Sequence, residues 1–73
     1  MKIINEKDNK VLIYYNNEFY VVSQANNMFT NYDDETLIFR SDAAGNVNNY
    51  IEVGGGRGLT LDEVLNNIEE HLY

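Results

Sequence analysis

Short β-rich apolar runs, whose side chains fall alternately on two faces, make up much of this chain, and the spacing becomes helical only near its end. The clearest stretch is KVLIYYNNEFYVVS, residues 10 to 23, in which two runs rich in β-branched and aromatic residues flank Asn16-Asn17. Asparagine tolerates positive φ, so the pair suits a two-residue hairpin turn. The hairpin then places Tyr15 opposite Glu18, Tyr14 opposite Phe19, Ile13 opposite Tyr20, Leu12 opposite Val21 and Val11 opposite Val22. One face carries Leu12, Tyr14, Phe19 and Val21, and the other Val11, Ile13, Tyr20 and Val22. Both faces are apolar, so both need cover.

A polar stretch, QANNMFTNYDDE at 24 to 35, reads as a loop pinned by Met28, Phe29 and Tyr32. TLIFRSDAAGNVNNYIEV reads as a second hairpin, with strands at about 36–41 and 47–53. Its turn spans Asp42 to Asn46, with Gly45 in a left-handed position. Residues 2 to 4 are expected to add a short edge strand. GGGRG at 54–58 then reads as a flexible joint into a helix. Thr60 is the expected N-cap, Glu63 completes a capping box, and Leu59 and Val64 occupy the two positions of a hydrophobic staple. Leu61, Val64, Leu65, Ile68 and Leu72 form one apolar stripe over about twelve residues. The expectation is a single α+β domain over 1–73, an antiparallel sheet of four to five strands (two hairpins) with one C-terminal helix packed on one face.

A helix of that length measures about 18 Å by about 10 Å, and four strands span about 19 Å. It therefore leaves the second sheet face to strong curling, to the loop at 24–35 or to a second chain. That area argument makes one sheet face a candidate contact for another copy, as a homodimer, or for a target protein.

Composition narrows the chemistry. With 44% hydrophobic and 12% aromatic residues the chain can build a core. It has no cysteine and one histidine, which excludes disulfides, thiolate zinc sites and histidine-rich metal sites. The charged start, MKIINEKDNK, has no apolar core segment, and no apolar run approaches the roughly 20 residues of a spanning helix. A soluble, cytoplasmic protein with no membrane contact is expected. The net charge is −7. Residues 1–10 set Lys2, Lys7 and Lys10 against Glu6 and Asp8, whereas the rest sets only Arg40 and Arg57 against ten acids. Such a surface repels nucleic-acid phosphates and attracts basic partners.

Motifs for chemistry are weak. GGGRG lacks the lysine of a Walker A loop. It also lacks the third glycine and following parallel strand of a dinucleotide fingerprint. An anion site at Arg57 and Gly58, beside the helix start, is the remaining functional reading of that loop. The acids in YDDE, Asp33, Asp34 and Glu35, stand as a solvated loop or a contact patch. DAAGNVNNYIEV fails the alternating-ligand pattern of a calcium loop. His71 suits the negative end of the helix dipole. Nothing points to a catalytic residue, a metal or a cofactor. Tyrosine is favoured at binding surfaces, which makes Tyr15, Tyr20, Tyr32, Tyr50 and Tyr73 candidate contacts.

The second half also carries a resemblance. Glu35, Thr36, Leu37, Ile38 and Phe39, then Asp42, Gly45 and Val47, then Glu52 and Val53 are similar to a pattern in small acidic proteins of phages and mobile elements. In size and charge the chain also resembles phage-encoded anti-CRISPR inhibitors. The resemblance implies a non-enzymatic protein acting in the host cell cytoplasm. It would bind and inhibit a basic nucleic-acid-handling host protein, such as a CRISPR–Cas effector, without binding nucleic acid itself. Asp33, Asp34, Glu35, Glu52, Asp62, Glu69 and Glu70 would supply the mimicking charge. Two other readings stay open: a homo-oligomer using a spare apolar face, and a small ligand-binding domain using Gly54 to Gly58.

Overall fold

The computed structural model describes residues 1–25, 32–47 and 49–73. Five antiparallel strands form one sheet in chain order: β1 (Lys2–Lys7), β2 (Lys10–Tyr15), β3 (Glu18–Gln24), β4 (Glu35–Ser41) and β5 (Glu52–Arg57). Two short helices follow, α1 (Leu61–Asn66) and α2 (Ile68–His71). The α+β class agrees with the sequence pattern. The number of helices differs, two short ones standing where one was expected.

The first hairpin has the register the alternation predicts, from Tyr15 opposite Glu18 to Val11 opposite Val22. Asn16 and Asn17 both take positive φ, 51° and 67°, which gives the turn a twist that matches the strands. The edge strand is longer than expected and pairs with β2 from Lys2 opposite Tyr14 to Lys7 opposite Lys10. A register shift between Ile3 and Asn5 kinks it. Its residues are all exposed, and charges at Lys2, Glu6 and Lys7 guard the open edge against pairing with other chains.

The second hairpin departs from expectation. β4 and the turn at Asp42 to Asn46 form as read, with Gly45 at φ 89°. The returning strand, however, begins at Glu52 and runs through the glycines, so Gly54, Gly55 and Gly56 are strand residues rather than a joint. Gly54 lies opposite Ile38, Gly55 opposite Leu37 and Gly56 opposite Thr36. Close backbone approach explains Gly54 and Gly55. A Cβ on Gly54 would run into the carbonyl oxygen of His71 and sit 2.8 Å from Cδ1 of Ile38. On Gly55, which has φ 90°, it would strike the Thr36 carbonyl.

The helix begins where the sequence places it. The Thr60 side chain accepts from the Glu63 N–H, and the Glu63 carboxylate returns to the Thr60 N–H. Leu59 packs on the same core cluster as Val64. It does not run to Leu72, because the chain breaks at Asn67 (φ −139°, ψ 50°). The Asn67 N–H donates to the Val64 carbonyl at 3.3 Å, an i→i−3 bond that closes α1 as a tighter final turn. Beyond α2, Leu72 is extended and forms a bridge with Gly54, while the Tyr73 N–H donates to the Val53 carbonyl at 2.9 Å. The C-terminal residues thus cover part of the β5 edge.

Val11, Ile13, Tyr20, Val22 and Ile38 form one sheet face and are sealed by Val64, Leu65 and Ile68 of the helices. The opposite face is also buried within the single chain: Leu12, Val21, Leu37 and Phe39 are 9%, 5%, 7% and 2% exposed. Gly45 of the β4–β5 connection lies against Leu12. These four side chains are buried without a second copy, which removes the area argument for one over that face. Met28 and Phe29, expected to pin the 24–35 loop, lie outside the described residues.

Candidate functional site

Arg57 ends β5 directly opposite Glu35, the first residue of β4. Its Nε donates to Asp34 Oδ1 at 3.2 Å, and its Cζ stands 4.1 Å from the centre of the Tyr32 ring. The Gly58 N–H donates to the Asp34 carbonyl at 2.7 Å. Arg57 therefore clasps the 32–34 turn to the end of the sheet. Just beyond, the buried Thr36 hydroxyl donates to the Leu59 carbonyl at 2.6 Å, which sets the path into α1. Of the donors expected to form an anion site at Arg57 and Gly58, Arg57 Nε and the Gly58 N–H are engaged by the chain itself. The start of the six-residue α1 is likewise filled by Glu63.

The seven acids expected to form a contact surface divide into three groups. Glu35 is 8% exposed and is part of the interior, a correction to its reading as a surface charge. Asp34 is paired with Arg57, and Glu52 accepts a hydrogen bond from the Tyr73 phenol. Burial first, then the negative charge of Glu52, raises the Tyr73 pKa. Asp33, Asp62, Glu69 and Glu70 are exposed and reach no cation among the described residues. The other arginine, Arg40, is also engaged, at 3.5 Å from Glu18.

The tyrosines separate in the same way. Tyr20 is 6% exposed in the core, not at a surface, and its phenol donates to Glu18 Oε2 at 2.8 Å. Burial is the main cause of its raised pKa, followed by the Glu18 hydrogen bond. Tyr15 is half-buried against the core, and Tyr32 lies under Arg57. Tyr50 is exposed and has φ 52°.

Tyr50 borders a feature that the sequence pattern hid. A cleft of about 330 Å³ opens where β4 ends and β5 begins, between Arg40, Val47, Asn49, Tyr50, Ile51 and Val53. The returning strand was expected over about 47–53. Instead Ile51 precedes β5 and is 68% exposed. The connection is held at its base by Asp42, whose carboxylate accepts from the Ala44 and Asn46 N–H groups at 2.9 Å and from Asn46 Nδ2 at 3.1 Å. The Asn46 hydrogen bonds are the main reason the Asp42 pKa is lowered.

No family model matches the chain, and no curated protein or solved structure resembles it significantly. No helix is long and apolar enough to cross a membrane, and no group of three or more histidines or acids is placed to hold a metal, both among the described residues.

Proposed function

We propose that the protein is a non-enzymatic binding module whose acidic surface engages a basic, nucleic-acid-handling protein and competes there with nucleic acid. A CRISPR–Cas effector of the host is the specific target that the resemblance suggests. The observation that carries this reading is the disposition of charge. Both arginines are paired at the surface with acids of the same chain, Asp34 and Glu18, whereas Asp33, Asp62, Glu69 and Glu70 have no cation among the described residues. The acids are therefore available to a partner, where they would steer encounter and weaken with salt.

The test is displacement of a fluorescent oligonucleotide from a purified effector by increasing amounts of this protein. Wild type is expected to displace it. A variant with Asp33→Asn, Asp62→Asn, Glu69→Gln and Glu70→Gln is expected to displace it at least about tenfold less well. Equal displacement by both would refute the charge-mimic mechanism.

A further inference from the structure

We propose that the cleft between the end of β4 and the start of β5 anchors a partner segment carrying one large apolar side chain between basic residues. The proposal deepens the binding reading above and rests on it for the sign of the partner's charge. Its geometric half stands on the cleft alone. The volume, about 330 Å³, is at the small end of ligand pockets and is enough to admit one large side chain. Val47, Tyr50, Ile51 and Val53 supply apolar walls. Ile51 and Tyr50 stay more than half exposed, although every large apolar side chain buried matters to a domain this small. Tyr50 also holds positive φ, a strained conformation for an aromatic residue and one that gathers at ligand sites.

The cleft is pre-organised. Asp42 fixes the base of the loop that forms one wall. On the other side Arg40 is held by Glu18 Oε2, the same oxygen that accepts the Tyr20 phenol. A buried core residue thus positions the charged pair at the cleft mouth. That pair is neutral as a unit, so the field of the remaining chain, with its net charge of −7, decides which segment approaches. An acidic segment meets repulsion there, and a basic one meets attraction. An apolar anchor in a preformed pocket, with a charged rim, is the usual form of an energetic hot spot.

The probe is a five-residue peptide, KKFKK, compared with KKSKK and EEFEE by amide chemical-shift titration at 150 mM salt. KKFKK is expected to shift Val47, Ile51 and Val53, and to bind at least about tenfold more tightly than either control. Ile51→Ser, at an exposed position outside the core, is expected to remove that advantage while leaving the other amide shifts native. Equal affinity of KKFKK and KKSKK, with shifts only near the exposed acids, would overturn the anchor and leave the acidic-binder reading standing. Tighter binding of EEFEE would overturn the stated charge of the partner, and no binding by either lysine peptide would overturn the proposal and count against both.

Discussion

Gly54 and Leu72 form an antiparallel bridge that ties the last residues of the chain to the edge of the sheet. The contact exists because Gly54 has no Cβ: the His71 carbonyl occupies the space that one would need. Gly54→Ala is expected to push the C-terminal residues off β5 and to destabilise the fold by about 2 kcal/mol, in the range for overpacking a close contact. Urea unfolding measures the loss, and faster exchange of the Tyr73 amide locates it. An unchanged midpoint with a protected Tyr73 amide would contradict the bridge.

Arg57 couples two segments rather than anchoring the core. Its ion pair with Asp34 is more than half exposed on both sides, and such pairs contribute about 1 kcal/mol or less. Arg57→Ala should therefore leave global stability nearly unchanged. It should accelerate amide exchange at Glu35, whose N–H donates to the Tyr32 carbonyl. A large fall in unfolding midpoint would show that the clasp matters more than its exposure allows.

The capping box sets the start of α1. Thr60→Ala removes the acceptor of the Glu63 N–H and is expected to destabilise the protein by about 1 kcal/mol. Thr60→Asp should retain most of the stability. Thermal melts of the three proteins check the order.

The Asp42 loop makes stability pH-dependent in a defined direction. Its folded pKa is lowered, chiefly by the Asn46 hydrogen bonds. Its contribution is therefore present above the ordinary carboxylate value of 3.8 and is lost as pH falls through the lower folded value. The Asn46 amide shift should titrate with a midpoint below 3.8. Tyr73 acts at the other end. Its folded pKa is raised above 10.0, so stability should decline as pH rises from about that value through the folded one. A Tyr73 midpoint at or below 10.0 would contradict the burial and Glu52 contact.

The sequence was most legible where one local rule dominated. The Asn16-Asn17 turn and two apolar runs defined the first hairpin to the residue, and Thr60 with Glu63 defined the helix start. Glycine misled because its strand propensity is poor, while β5 depends on its small size for approach to His71 and Thr36. Leu72 kept the helical spacing yet lies beyond the break at Asn67, extended and bridged to Gly54. Gly45 lies against Leu12 although the two are far apart in sequence, which periodicity cannot show. For the site, the exposed acids Asp33, Asp62, Glu69 and Glu70 were legible. The engagement of Arg57 by Asp34, the burial of Tyr20 and Glu35, and the cleft at Ile51 depended on tertiary contacts.

The central claim is that unneutralised acids carry the interaction. The most direct measurement is the affinity for a purified basic nucleic-acid-handling protein between 50 and 300 mM salt. It compares wild type with the variant Asp33→Asn, Asp62→Asn, Glu69→Gln and Glu70→Gln. The account predicts that wild-type affinity falls at least about tenfold across that range, and that the variant binds more weakly with a shallower dependence. The same salt dependence and affinity for both proteins would contradict it.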